Sequence, residues 1–365
     1  MGPPRHLAAL PGLTGETIEW PVPFADGVDR LLGLRGRKVA VLVSGDPFWF
    51  GAGRVLANAL TPDEWVALPG PSVFSLVAAR LGWALEAVQC RGLHAAPFER
   101  LVPELAPGEM FIVTLRDGPA VAALAGWLAG QGYGQSVLHV FERLGGPDAR
   151  HRSASADGFD LVDVAHPVTV AFELAGRAGG FPRASGKADD LFESDGQMTK
   201  RPMRALTLSA LQPRPGQRLW DIGAGTGSIA VEWLLSAPRM EAVAIELRAD
   251  RAGRIARNAK RFGQDQLRVI EGDAPACLAD LPLPDAVFVG GGLTAELLTW
   301  LEAHLPAGTL LVVNAVTLET EALVVAAQAR LGGSLLKVEL SQSQALGKFR
   351  GWASSFPVVQ WSVTL

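Results

Sequence analysis

Apolar runs alternate with helical patterns along the first half of the chain. Short continuous apolar stretches are typical of buried strands, whereas apolar positions that recur every three or four residues are typical of helices. The pattern predicts strands at residues 38–43, 110–115 and 136–141, and helices at 73–81 and 120–131. This alternation predicts an α/β sheet.

The second half repeats strand and helix in regular order. Strands are predicted at residues 217–222, 242–246, 267–271, 286–289 and 308–313, and helices at 202–211, 248–262 and 294–303. The end differs, because residues 334–342 and 357–364 indicate two strands with no helix between them. A parallel sheet with an antiparallel pair at its edge is therefore predicted.

A segment rich in glycine, proline and small residues lies between these halves. It runs from Gly176 to Gly186 and is typical of a linker. Two α/β domains are therefore predicted, residues 1–178 and 179–365, which suits a chain of 365 residues.

Composition excludes several classes of protein. Hydrophobic residues make up 48% and charged residues 19% of the chain, which favours packed cores over disorder. The net charge of −4 and the lack of a long basic run disfavour nucleic acid as the main partner. Cys90 and Cys277 lack the spacing of metal ligands, so no metal is expected. No signal peptide or membrane-spanning run is seen, so a cytoplasmic protein with reduced thiols is expected.

A glycine-rich turn in the second half carries the strongest functional signal. It follows a predicted strand that contains Asp221, and its glycines are Gly223, Gly225 and Gly227. Glycine lets the backbone approach a ligand closely, and the next helix points unpaired N–H groups at whatever binds there. Glu246 ends the next predicted strand, where an acid typically accepts hydrogen bonds from ribose hydroxyls. A nucleotide-like ligand is therefore expected.

The spacing of the glycines separates two classes of nucleotide ligand. The dinucleotide pattern Gly-x-Gly-x-x-Gly/Ala fails at Ser228. The observed Gly-x-Gly-x-Gly, with an acid before it and Gly272-Asp273-Ala274 at the third strand end, resembles the Rossmann-like S-adenosylmethionine-dependent methyltransferases.

This resemblance implies a role for each matching residue. The glycine turn would face the methionine portion of the cofactor, Asp221 would orient the turn, Glu246 would bind the ribose, and Asp273 with Ala274 would flank the adenine. The cofactor residues implied in the second half are Asp221, Gly223, Gly225, Thr226, Gly227, Glu246, Asp273, Ala274, Gly290 and Gly291. Simpler roles stay open, since Asp221 also suits a helix cap and Asp273 the start of a turn.

Three glycines, residues 290–292, follow the fourth predicted strand and leave space for a large flat substrate. Gly292 and Leu293 are therefore predicted to contact substrate. A tight turn with Thr294 as helix N-cap is the alternative, and the two interpretations are compatible.

Two loops of the first half resemble another family. Ser44-Gly45-Asp46-Pro47 follows a predicted strand and Ser72 precedes a predicted helix, which by themselves indicate a turn and an N-cap. In this order, and with Phe-Glu-Arg-Leu-Gly at 141–145, they resemble the tetrapyrrole methylases, which bind S-adenosylmethionine on an unrelated fold. The resemblance implies a second cofactor site that includes Ser44, Gly45, Asp46, Pro47 and Ser72.

The order of the two halves resembles the bifunctional, decarboxylating precorrin methyltransferases. The most specific match is Phe-Glu-Ser-Asp-Gly-Gln-Met-Thr-Lys at 192–200, followed by the glycine turn. The resemblance implies that two S-adenosylmethionine molecules methylate C5 and C15 of a precorrin-6 tetrapyrrole, leaving S-adenosylhomocysteine. The C12 acetate is lost and precorrin-8 is formed, in cobalamin biosynthesis. It also implies one methylation by the first half, the other methylation and the decarboxylation by the second half, and a dimer or tetramer.

The implied substrate carries many carboxylates, so cationic contacts are expected. The cations predicted to contact it are Lys187, Lys200, Arg201 and Arg204, with Gln197 as a further substrate contact. Those predicted to assist decarboxylation are Glu193, Asp195, Thr199 and Lys200. Their segment is expected to form either a lid over the cofactor or a solvated entry to a helix. Methyl transfer to an electron-rich meso carbon requires placement rather than a strong base.

One departure from the tetrapyrrole methylase pattern concerns the start of the chain. That family begins with a strand and a Gly-x-Gly-Pro-Gly loop, whereas Gly2-Pro-Pro-Arg-His-Leu matches the next element. The first sheet is expected to lack its opening strand and one cofactor loop, unless the true start lies upstream. Two alternatives therefore stay open: a first half that only binds or oligomerises, and another small-molecule or RNA methyltransferase with a regulatory domain.

Overall fold

A computed structural model describes residues 1–365, and the chain divides into two compact units. The first unit comprises Met1–Ala96 and Ala106–Gly179, and the second comprises Pro97–Leu105 and Gly180–Leu365. The short segment 97–105 thus packs with the second unit, where a salt bridge of 2.8 Å joins Arg100 to Asp265.

A mixed five-stranded sheet forms the centre of the first unit. Its strands are β1 (Val88–Gly92), β2 (Met110–Leu115), β3 (Val137–Glu142), β4 (Arg150–Ser155) and β5 (Val168–Glu173), and its helices are α1 (Pro4–Ala8), α2 (Phe24–Leu32), α3 (Gly53–Ala59), α4 (Val73–Leu81) and α5 (Pro119–Gly130). The strand order is β1-β2-β5-β3-β4, and only β1 and β2 run parallel. The apolar strand β5 lies in the middle of the sheet, and the polar strand β4 lies at an edge.

The prediction of a strand at residues 38–43 is wrong, because this segment joins no sheet. Ala40 and Leu42 bond instead to Met1: the Met1 amino group donates to the Ala40 carbonyl over 2.7 Å, and the Leu42 N–H donates to the Met1 carbonyl over 2.8 Å. A ladder needs a partner strand of several residues, and a single residue does not supply one. The sequence analysis also missed β1, β4 and β5.

A seven-stranded sheet forms the centre of the second unit. Its strands are β6 (Arg218–Ile222), β7 (Glu241–Glu246), β8 (Arg268–Glu271), β9 (Ala286–Val289), β10 (Leu310–Ala315), β11 (Ser334–Val338) and β14 (Val358–Thr364), and its helices are α6 (Arg201–Leu211), α7 (Ser228–Ser236), α8 (Ala249–Arg261), α9 (Ala295–His304) and α10 (Leu318–Leu331). The order is β11-β14-β10-β9-β6-β7-β8. Strands β6 to β10 are parallel, and β14 runs antiparallel to both β10 and β11. The predicted Rossmann-like sheet with an antiparallel edge is confirmed.

The end of the chain contains more structure than the pattern predicted. The strand predicted at 334–342 stops at Val338, and a separate antiparallel hairpin follows, formed by β12 (Ser341–Leu346) and β13 (Phe349–Ser354). Gly347 turns the hairpin with a φ of +58°, a conformation that glycine adopts without strain. Helix α10 was not predicted.

The parallel strands are buried on both faces, because side chains alternate along a strand. Ile222, Val289 and Val313 pack on one face with α9 and α10. Leu219 and Phe288 pack on the other face with α7 and α8. The carboxyl ends of β6, β7, β8 and β9 therefore meet at one edge, where loops can form a site.

A buried carboxylate fixes one loop of the first unit. Glu142, at the end of β3, is 0% exposed and accepts hydrogen bonds from Arg150 (2.9 Å), Arg152 (3.0 Å) and the Ala165 N–H (2.7 Å). Burial alone would raise the pKa of Glu142, but these donors together lower it to about 2. The ionised carboxylate therefore holds the end of the loop that leads into β5.

We expect Glu142→Gln to destabilise the first unit. The amide keeps the shape but loses the charge that one exposed and two half-buried donors contact, which costs about 2 kcal/mol of unfolding free energy. Scanning calorimetry measures the lowered Tm. Glu173→Gln, at the exposed end of the adjacent strand β5, is the matched control and should leave Tm unchanged. Equal Tm values for the two variants would contradict this role of Glu142.

Candidate functional site

The glycine turn after β6 combines tight packing with open space. Gly223, Gly225 and Gly227 all have positive φ, at +68°, +61° and +73°. A Cβ on Gly223 would lie 2.5 Å from the Gly291 carbonyl oxygen, and one on Gly227 would lie 2.7 Å from the Ile255 side chain. A Cβ on Gly225 would meet only the Gln197 carbonyl oxygen, at 3.7 Å. Gly223 and Gly227 therefore permit packing, whereas Gly225 leaves room above the turn.

Asp221 lies beneath this turn and is fully buried. Its Oδ2 accepts a hydrogen bond from the Ala230 N–H in the first turn of α7 (3.0 Å), so the helix-capping role is present. Its Oδ1 has no hydrogen-bond partner. Burial raises the pKa of Asp221 to about 7, and the charge of Glu246 acts in the same direction.

Glu246 joins the end of β7 to the glycine turn. Its carboxylate is 5% exposed and accepts hydrogen bonds from the Gly225 N–H (2.8 Å) and the Arg248 N–H (3.1 Å). Each carboxylate oxygen retains a lone pair beyond these bonds. Leu247 follows and is 64% exposed, an apolar surface at this edge that the sequence analysis missed.

The loops after β8 and β9 complete the same edge. Asp273 is exposed and its carbonyl accepts the Cys277 N–H (3.1 Å), so it does start a turn, with Ala274 next to it. Gly290 donates to the Ile222 carbonyl (2.9 Å), and nothing lies within 4 Å of a Cβ built on Gly291 or Gly292.

Two residues of the loop after β9 have structural roles. Leu293 is buried in the core, so its predicted substrate contact is corrected: the side chain is not accessible to a ligand. Thr294 is the N-cap of α9, where its hydroxyl accepts the Leu297 N–H (3.0 Å).

The segment 192–200, called the strap below, is tied to α8 by charged side chains. Arg257 contacts Glu193 (2.8 Å), and Arg251 contacts Asp195 (2.9 Å) and the Gln197 side chain (2.7 Å). The Gln197 N–H and the guanidinium of Arg251 hold the pKa of Asp195 below its usual range. Glu193 and Asp195 of the strap thus form ion pairs with arginines of α8.

The end of the strap leads into α6. The Thr199 carbonyl accepts a hydrogen bond from Arg204 (2.6 Å), while the side chains of Lys200 and Arg201 are exposed.

The structure corrects the predicted substrate contacts of two cations. Arg204 is 0% exposed, and its guanidinium donates to Glu232 (2.6 Å), Asp189 (3.1 Å) and backbone carbonyls. Lys187 is buried, its Nζ donates to the Ala184 carbonyl (2.7 Å), and burial lowers its pKa. Both cations are enclosed by protein groups and have no surface to offer a substrate carboxylate.

The first unit contains a cavity of about 850 Å³. The predicted residues Ser44, Gly45, Asp46 and Ser72 line it, whereas Pro47 does not. Aromatic side chains and several basic side chains also line it. These are Trp49, Phe50 and Phe74, with Arg5, His6, His94, Arg143 and His166. The sequence analysis missed this basic and aromatic lining, because its members come from six separate segments.

Hydrogen bonds within the first unit fix the two predicted loops. Ser44 bonds to Arg5 (3.0 Å) and His6 (3.1 Å), and Ser72 caps α4 by accepting the Ser75 N–H (3.1 Å). A Cβ on Gly45, where φ is +58°, would lie 3.0 Å from the Pro71 carbonyl oxygen. The two loops therefore meet along one wall of the cavity.

The edge of the second sheet fits a charged nucleoside ligand. Open space lies over Gly225 and Gly291, and the Glu246 carboxylate lies beside it. Asp221 Oδ1 and Thr226 Oγ1 are buried polar atoms without hydrogen-bond partners. Buried polar atoms are rarely left unpaired in native proteins, so these two indicate a group that the ligand-free chain lacks.

Comparison with known proteins identifies the family of the chain. A family described as tetrapyrrole (corrin/porphyrin) methylases matches residues 29–159, and the precorrin methyltransferase domain matches residues 190–365. The chain is 45% identical to a precorrin-6Y C(5,15)-methyltransferase [decarboxylating] of Sinorhizobium over 99% of its own length and 88% of that protein. The chain belongs to the family of decarboxylating precorrin-6Y C(5,15)-methyltransferases. This membership confirms the family that the sequence motifs indicated. It also confirms the dependence on S-adenosylmethionine and the role in cobalamin biosynthesis.

Shorter relatives of this family match part of the chain. A cobalt-precorrin-6B C(15)-methyltransferase (decarboxylating) of Salmonella typhimurium is 32% identical over 44% of this chain and 85% of its own. The crystal structure of the C-terminal domain of a precorrin-6Y C5,15-methyltransferase from Rhodobacter capsulatus is 48% identical, with a TM-score of 0.49, over 51% of this chain and 100% of that domain. None of the helices of the present chain combines the length and the apolar character that a membrane span requires.

Gly225→Val is expected to abolish cofactor binding by the second unit of this precorrin methyltransferase. The side chain would fill the space over the turn. Gly216→Val is the matched control, because Gly216 also has positive φ (+86°) and open surroundings but precedes β6 at the opposite edge. Isothermal titration with S-adenosylhomocysteine should show one site fewer for Gly225→Val alone. Full binding by that variant would contradict the site.

Asp221→Asn is expected to change how stability depends on pH. The pKa of Asp221 is about 7 in the folded protein and about 4 in the unfolded chain. Between these values only the folded state holds the proton, so the wild-type unfolding free energy falls as the pH rises towards 7 and is level above it. The asparagine variant lacks this fall. Tm curves of the two proteins, measured between about pH 5 and about pH 8, should therefore diverge, and parallel curves would exclude a raised pKa.

Proposed function

We propose that the two units carry separate methyl transfers to one tetrapyrrole. The first unit methylates one meso carbon, and the second unit methylates C15 and removes the C12 acetate, which gives precorrin-8. The observation that carries this proposal is the open space over Gly225, beside the Glu246 carboxylate. A C15-specific, decarboxylating relative that matches less than half of this chain supports the same division.

In the second unit, the residues at the sheet edge hold S-adenosylmethionine. The glycine turn and Thr226 face its methionine portion, Glu246 accepts the ribose hydroxyls, and Asp273 with Ala274 flanks the adenine. The bound cofactor supplies an electrophilic methyl group on a sulfonium. Since the meso carbon supplies the electron pair, the protein needs to align and desolvate the partners rather than to abstract a proton.

The substrate lies over the open glycines after β9. Gly291 and Gly292 leave space there, and exposed Lys200 and Arg201 contact substrate carboxylates. Among the residues predicted for decarboxylation, Lys200 is the strongest candidate, because Glu193 and Asp195 are engaged by arginines of α8. Lys200 binds the acetate. When the bond to its carboxylate carbon breaks and carbon dioxide leaves, the macrocycle accepts the electron pair, and a proton from solvent then converts the remaining methylene carbon into a methyl group.

In the first unit, the cavity binds the second cofactor and the macrocycle. Ser44, Gly45, Asp46 and Ser72 lie on the cofactor side, as the tetrapyrrole methylase resemblance implies. The basic groups that line the cavity suit a polycarboxylate, and its aromatic side chains suit a flat ring system.

In a second candidate function, only the second unit is catalytic. The observation that favours it is that residues 38–43 form no strand. The Ser44–Pro47 loop therefore does not follow a strand of the sheet, as the prediction had it. In that case the first unit binds substrate or other copies of the chain. The dimer or tetramer and the cytoplasmic location also remain our proposals.

Binding stoichiometry and product mass separate the two candidates. Two S-adenosylhomocysteine molecules per chain are expected if both units are active, and one if only the second is. With a precorrin-6 substrate, Gly225→Val should yield a product that has one new methyl group and keeps its acetate. Gly45→Val, which would bring a side chain against the Pro71 carbonyl, should yield the complementary product. A doubly methylated product from either variant would contradict the division of labour.

A further inference from the structure

A single buried amide links the two backbone segments that surround the proposed cofactor site of the second unit. Asn258, on α8, is 0% exposed. Its Nδ2 donates to the Glu193 carbonyl in the strap (3.0 Å) and to the Thr226 carbonyl in the glycine turn (2.9 Å). Its Oδ1 accepts the Glu193 N–H (2.8 Å).

The partners determine the orientation of this amide. Two carbonyls and one N–H surround it, so only one placement of its oxygen and nitrogen satisfies all three. The side chain pairs with both polar backbone groups of Glu193, much as a neighbouring strand would. Its second N–H then fixes the distance between strap and turn.

The ion pairs between the strap and α8 are weaker constraints than this amide. Arg257 and Glu193 are both largely exposed, and exposed ion pairs contribute little. Arg251 and Arg254 hold the Asp195 side chain rather than the strap backbone. Asn258 instead acts on backbone atoms and is shielded from water, where a lost partner is costly.

The strap lies directly over the open part of the site. The Gln197 carbonyl oxygen is the atom that a Cβ on Gly225 would approach. From this geometry we infer that Asn258 is a positioning residue: it holds the strap at a fixed height over the glycine turn, so that the strap closes over S-adenosylmethionine. This inference rests on the proposed cofactor site but does not require Asn258 to touch the cofactor.

Asn258→Asp tests this role in the full-length chain. The aspartate keeps the shape but donates no hydrogen bond, so the Thr226 and Glu193 carbonyls lose their shared donor. We expect the S-adenosylhomocysteine dissociation constant of the second unit to rise about tenfold, which is the size of effect expected from one of the two lost hydrogen bonds, the one that joins the strap to the turn. The KM for S-adenosylmethionine should rise equally, with kcat at saturation within about twofold of wild type.

Gln264→Glu is the matched control. Gln264 is also a buried amide, just beyond the end of α8, and its Nε2 donates only to the Phe262 carbonyl (3.4 Å). This variant should lower Tm while it leaves cofactor affinity unchanged. If Asn258→Asp lowers Tm but binds S-adenosylhomocysteine as tightly as wild type, the role of Asn258 is purely structural and the inference fails.

Hydrogen exchange on the wild-type chain provides a test that needs no variant. The Glu193 amide should exchange slowly, and S-adenosylhomocysteine should slow it further. Fast exchange with and without this probe would overturn the inference. Failure of the proposed function has a different signature, since Gly225→Val would then bind S-adenosylhomocysteine with wild-type stoichiometry.

Discussion

The second unit depends on a contact between two backbones. The turn after β6 and the loop after β9 approach so closely that a side-chain carbon at Gly223 would lie 2.5 Å from the Gly291 carbonyl oxygen. This approach joins the ends of two neighbouring parallel strands and leaves the backbone exposed on the ligand side. Any larger residue at Gly223 would push the two loops apart. The remaining features of the site are arranged around this contact.

Burial divides the acidic residues of the site into two kinds. Asp221 lies below the turn, caps α7 and has a pKa raised to about 7 by burial. Glu246 lies at the edge of the sheet, where backbone N–H groups orient its carboxylate towards the open side. Two acids that look alike in the sequence thus have different surroundings, because Asp221 is enclosed beneath the turn whereas Glu246 lies at the edge of the sheet.

The cations that precede the glycine turn illustrate the same effect. A polycarboxylate substrate requires positive groups, and four of the bases that precede the turn were predicted to supply them. Two of them, Lys187 and Arg204, are buried, and Arg204 is held by Glu232. An isolated buried charge is unfavourable, so such a cation needs a partner within the protein. It is then not available to bind a substrate carboxylate. Lys200 and Arg201 remain on the surface, where a carboxylate of the substrate can reach them.

The sequence alone determined the Rossmann-like fold of the second unit, its family and its glycine turn. Those signals are local: apolar runs mark buried strands, and a fixed glycine spacing marks a backbone that approaches a ligand. Tertiary structure alone decided which charged side chains are accessible, that 38–43 forms no strand, and that Asn258 meets Glu193 and Thr226. Such features depend on partners far away in the chain. Hydrogen bonding and burial are set by those partners, and no local pattern records them.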